Sequence, residues 1–155
     1  MEFQLTSGLQ PQLLEDDQKL WLANAICGAI LADGSVAPEE LEYLERALSF
    51  LPTPEDVEKM MQAVKEQKIP ELGRLPGASR ELEVKILIDL TTVLSVDNVL
   101  GANEIDYLLT VGGKLGFGRE FSRIVIRWAS EGIVWKRKML HIIDTGSSLE
   151  AEYVD

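Results

Sequence analysis

Ala32-Asp33-Gly34-Ser35-Val36-Ala37-Pro38-Glu39-Glu40-Leu41 joins the most apolar part of the chain to a capped helix, and the same arrangement occurs twice. Moved forward by 64 positions without a gap, the stretch falls on Val96-Asp97-Asn98-Val99-Leu100-Gly101-Ala102-Asn103-Glu104-Ile105. Asp33 then meets Asp97, Glu40 meets Glu104, Tyr43 meets Tyr107 and Leu44 meets Leu108. Local chemistry accounts for each repeated residue. With Ala37 as N-cap, Pro38 takes the first helical position, where its missing N–H is no loss. Glu40 at N3 can reach back to the N-cap amide, and its charge sits at the positive end of the helix. Val36 and Leu41 make a hydrophobic staple across the cap. The second copy repeats this with Leu100, Gly101, Glu104 and Ile105. Gly34 and Asn98 tolerate left-handed backbone, and Asp33 and Asp97 can close Asx-turns.

Outward from the first elbow, periodicity predicts helices throughout. Residues 15–32 open with Glu15, Asp16 and Asp17 at the positive helix end and are then apolar on nearly every face, which marks a buried helix. Cys27 lies among small residues there, without a nearby cation to lower its pKa, and reads as core. A second helix is expected from Pro38 to about Leu51. Thr53 caps a third, with Pro54 at N1 and Asp56 at N3; Met60 and Met61 read as core filler. Residues 65–79, with Pro70, Gly73, Pro76 and Gly77, form the loosest inner stretch, with one short helical turn expected at Glu71–Arg74. Helices follow over 79–96, the counterpart of the first, and over 102–115. Residues 119–130 should form another, with Phe121, Ile124, Val125 and Trp128 inward, and 133–143 a last one carrying Trp135, Met139 and Leu140. Asp89 stands among apolar neighbours, with Thr92, Lys85 or solvent as its expected partner. No segment alternates at period two. The expectation is an all-α fold, a compact bundle of about seven helices in two pseudo-symmetric halves (15–51 and 79–115). A single domain spans 15–143, after an extension of 1–14 and before an acidic flexible tail of 144–155.

Composition narrows the function. The 155 residues carry 26 acidic and 15 basic side chains, a net charge of -11. Such a surface repels phosphate backbones and anionic lipid, so no nucleic-acid partner is expected. One cysteine excludes an internal disulfide, the first residues carry no secretory-signal pattern, and the run 20–32 is too short to span a membrane. A cytoplasmic protein without membrane insertion is expected. The glycines at 112, 113 and 116 follow no strand and precede no Gly-Lys-Ser/Thr, so they are no phosphate loop. His141 is the sole histidine, the cluster Lys136-Arg137-Lys138 reads as a solvated face or a contact for an acidic partner, and no nucleophile–base pair is visible. No catalytic residue is assigned and no enzyme is expected.

Two chemistries compete at the elbows. Asp33, Glu40, Asp97 and Glu104 place two carboxylates in each loop, the oxygen ligands that hard cations prefer. They are the candidate metal ligands, for calcium, magnesium, manganese or zinc. The spacing Asp-Gly-x5-Glu matches the end of an EF-hand loop. The preceding ligand positions hold Ala29 and Leu31, or Val93 and Ser95, so a true EF-hand is ruled out. The alternative is that the loops are only caps and turns within a structural protein-interaction domain.

The pattern Ala32-Asp33-Gly34-x-Val36-x-x-x-Glu40 after a long apolar helix, repeated around Asp97 and Glu104, resembles the TerB-like family of tellurite-resistance proteins and DjlA-type co-chaperone domains. The resemblance covers residues 15–128. It implies a compact all-α fold with two related halves, an acidic metal-binding surface, a non-enzymatic role in bacterial stress responses, and a protein partner at the inner membrane. The second copy departs from the pattern, with Asn98 in place of the glycine.

Overall fold

The computed structural model describes residues 7–32, 34, 36–95 and 100–154. A short 3-10 turn at Pro11–Leu13 precedes α1 (Asp16–Leu31), α2 (Pro38–Ala47), α3 (Pro54–Lys65), α4 (Arg80–Ser95), α5 (Ala102–Lys114) and α6 (Arg119–Ser148). All regular structure among the described residues is helical, so the all-α expectation holds in kind. The count differs: six α-helices rather than seven, because 119–130 and 133–143 are one helix of 30 residues running on to Ser148. A mid-helix glycine costs about 1 kcal/mol against alanine, too little to break a helix when no proline follows. Ile133, buried beyond Gly132, holds the next turn in register.

α1 forms the centre, packing against α3, α4 and α5; α6 lies over α4 and α5, and α2 against α3. The Glu15 amide donates to the Gln18 side chain at 3.1 Å, closing one half of the α1 cap. Nine of the 16 α1 residues are buried, Cys27 among them. α1 also orders the stretch expected to be loosest. Trp21 Nε1 donates to the Gly73 carbonyl at 2.9 Å and Gln18 Nε2 to that of Pro76 at 3.0 Å. These bonds satisfy connector carbonyls that helix formation leaves free, and no helical turn forms at 71–74.

α2 stops at Ala47 rather than near Leu51. Leu51 precedes Pro52, which disfavours helical backbone at that position, and the chain tightens through a Leu51-to-Leu48 bond of 3.0 Å. Leu48 and Leu51 nonetheless remain in the core. α3 begins as expected, with Thr53 Oγ1 accepting from the Asp56 amide at 3.2 Å.

α3 and α5 end in the same way. The amide of Lys68 reaches the Ala63 carbonyl at 2.9 Å and that of Gln67 reaches Val64 at 3.0 Å; Phe117 to Gly112 (2.8 Å) and Gly116 to Gly113 (3.1 Å) repeat the pattern. Both are Schellman ends, with the left-handed position taken by Gln67 (φ 56°) in one and Gly116 (φ 81°) in the other. Arg80, at the start of α4, donates to the carbonyls of Leu115 (2.9 Å) and Gly116 (3.2 Å) and lies 4.1 Å over the Phe117 ring. It thereby joins the start of α4 to the end of α5.

Candidate functional site

Each elbow is built by the helix it opens. Ala37 and Gly101 hold extended backbone ahead of α2 and α5, and neither has a side chain that can cap. The glutamate at N3 supplies the missing acceptor. Glu104 Oε1 accepts from the Gly101 amide at 3.0 Å, and Glu40 Oε1 stands 3.5 Å from the Ala37 amide, the weaker of the two. Both glutamates are half-buried at the positive end of their helix, where a carboxylate is stabilised. Gly34 adopts φ 100° in the first elbow and its amide bonds the Leu31 carbonyl at 3.0 Å, a conformation that glycine takes freely. Two of the four candidate ligands, Asp33 and Asp97, lie outside the described residues, as does Asn98. Among the described residues there is no group of three His, Cys, Asp or Glu side chains placed to hold an ion.

The helices that follow the two elbows sit in unequal surroundings. Tyr107 packs on α1: its hydroxyl donates to the Ala25 carbonyl at 2.7 Å, and a Cβ on Gly28 would overlap the Tyr107 hydroxyl oxygen. Tyr43, its counterpart in sequence, is exposed beneath the Arg46 guanidinium at 5.5 Å. Burial pushes the Cys27 thiol up to about 12, and burial with the neighbouring Cys27 raises the Tyr107 phenol further above its ordinary value. Neither group is poised for chemistry near neutral pH.

Asp89 also differs from expectation. It is 1% exposed, and its two oxygens accept from the Ser7 amide and the Ser7 hydroxyl, each at 2.8 Å. The expected neighbour Thr92 instead donates its hydroxyl to the Asp89 carbonyl at 2.9 Å. The carboxylate fastens the segment before α1 onto α4. Sequence periodicity cannot reveal a bond spanning 82 residues. A hollow of about 340 Å³ between α1, α5 and the connector is walled by Leu31, Ile69, Leu72 and Tyr107 with Glu71 and Lys114. It offers one carboxylate and one ammonium but no nucleophile with a base.

The feature that sequence reasoning placed wrongly is α6. Of the four residues expected to face the core, Val125 is buried, whereas Phe121, Ile124 and Trp128 are exposed. The buried residues are Ser122, Val125, Ile126, Ala129 and Ile133. Each exposed side chain is followed by a buried one, so the helix is turned by one residue, about 100°. The cause is the fit to α5: a Cβ on Gly112 would overlap Ser122 Oγ and lie 3.1 Å from Ser122 Cβ. Such an approach admits serine and alanine and excludes phenylalanine and tryptophan. The fit leaves the Ser122 hydroxyl buried without a hydrogen-bond partner. Beyond Ile133 every described residue is exposed, including Trp135 (77%), the basic run 136–138 and His141.

No family model, curated protein or solved structure matches this chain. No helix among the described residues is long and apolar enough to cross a membrane.

Proposed function

We propose that the chain is a non-enzymatic interaction module of the TerB-like type, acting in a bacterial stress response through the outward face of α6. The observation that carries this reading is the row of large apolar side chains along that face, with Trp128, Trp135 and Ile142 each more than half exposed. Contiguous apolar surface of this kind marks an interaction site. The TerB-like part draws support from the helix–elbow–helix unit, since α4 starts 64 positions after α1 and α5 64 after α2. The elbows are connectors in this reading: Glu40 and Glu104 act on the ends of their own helices.

Two measurements test it. In a tellurite-sensitive bacterium, the wild-type chain should protect, a Trp128→Glu, Trp135→Glu variant should lose protection, and an Asp33→Asn, Asp97→Asn variant should keep it. Protection that depends on the loops and not on α6 reverses the assignment, and no protection at all removes the stress role. Calorimetric titration with calcium, magnesium, manganese and zinc should give no saturable heat at millimolar ion. Saturable heat that disappears in Asp33→Asn, Asp97→Asn would make the elbows a cation site.

A further inference from the structure

We propose that the partner of the α6 face is a second copy of this chain, the two helices pairing antiparallel about a two-fold axis at Gly132. The proposal rests on the interaction reading above and names its partner.

The outward stripe comprises Phe121, Ile124, Trp128, Trp135, Met139 and Ile142, all exposed. At 100° per residue these positions fall within roughly 100° of arc, a continuous seam about 30 Å long. The seam reads nearly the same in both directions from Gly132. Trp128 and Trp135 lie four and three residues away, Ile124 and Met139 eight and seven, and Phe121 and Ile142 eleven and ten. An isologous interface requires a surface complementary to itself under a two-fold rotation, and an antiparallel pair of these seams meets that condition. Each tryptophan at 128 would meet the tryptophan at 135 of the other copy, and Ile124 would meet Met139.

Gly132 supports the position of the axis. It occupies the middle of a 30-residue helix, where glycine is a poor choice, and a Cβ added there would meet nothing within 4 Å. The chain's own packing gives no reason for the missing side chain. With no side chain standing there, a second helix can cross closely at that point.

Side-chain type and charge favour a second copy. Pairing the stripes would cover six large apolar side chains on each copy, Trp128 and Trp135 among them, the residue type that anchors interfaces. α6 carries six basic residues (Arg119, Arg123, Arg127, Lys136, Arg137 and Lys138) against Glu120, Glu131 and Asp144, a net +3. The remainder of the -11 chain is therefore at -14. Antiparallel pairing lays the projecting half of α6, with its basic run at 136–138, along the other copy's acidic body.

Sedimentation equilibrium of the full chain at micromolar concentration tests the proposal, with circular dichroism confirming that each variant is folded. The wild type should run at twice the 17.3 kDa chain mass. Trp135→Glu, at an exposed position, should raise the dimer dissociation constant at least 100-fold. Gly132→Cys should give a disulfide-linked dimer under oxidation, Phe121→Cys alone should not, and Phe121→Cys with Ile142→Cys should. Linkage by Phe121→Cys alone means parallel pairing and overturns the axis. A folded monomer across the concentration range overturns the dimer, and co-sedimentation of that monomer with phosphatidylglycerol vesicles would make lipid the occupant. If the chain is monomeric while Trp128→Glu, Trp135→Glu still abolishes tellurite protection, the pairing fails and the interaction reading stands. If both results are negative, both fail.

Discussion

Gly28 and Tyr107 show how much one atom decides. The absent Cβ at Gly28 admits the Tyr107 hydroxyl onto the Ala25 carbonyl. Gly28→Ala should destabilise by about 1–3 kcal/mol in urea unfolding, overpacking and the lost bond outweighing alanine's helix propensity. Gly28→Ala combined with Tyr107→Leu should recover part of that loss, because the two residues share one contact. Cys27, one position earlier, predicts an alkaline limit. Its unfolded thiol ionises above 9.0, whereas the folded thiol holds its proton to about 12. The folded state then binds more protons, and stability falls as pH rises through that window. By pH 10.5 the wild type should lose about 2 kcal/mol more than Cys27→Ala, relative to pH 8, with Tyr107 adding a loss common to both.

At the scale of the element, the two Schellman ends are a matched experiment. Gln67 holds a left-handed conformation that costs an L-residue about 1–2 kcal/mol, while Gly116 holds it freely. Gln67→Gly should therefore stabilise by about 0.5–1 kcal/mol in denaturant titration, net of glycine's greater unfolded freedom. Gly116→Ala should destabilise, since its Cβ would also lie 2.8 Å from Arg80 Nη1. The elbows were legible at this scale because caps are local: Pro38, Glu40 and Glu104 act within four residues. The end of α2 and the continuity of α6 were less so. Leu51 keeps helical spacing, and a core role, outside the helix; Gly132 resembles a stop and lies within one.

For the whole molecule, the bond between Ser7 and Asp89 ties the segment before α1 to α4 and so closes the bundle. Asp89→Ala should cost about 2–3 kcal/mol in urea unfolding, the range for buried charge-assisted bonds. It should also open the chain before Pro11 to limited proteolysis, which Thr92→Ala should not do. Periodicity shows that Asp89 is surrounded by apolar residues; only the folded chain shows what neutralises its hydrogen-bonding demand.

The sequence by itself determined the all-helical class, the buried first helix with Cys27 inside it, and the helix starts at Pro38 and Ala102, because each depends on neighbours within a few positions along the chain. Tertiary structure decided which side of α6 turns inward. Periodicity defines two apolar stripes on that helix, one residue apart in phase, and it cannot rank them. The close approach of Gly112 to Ser122 ranks them, seating the small side chains and leaving Trp128 and Trp135 outside.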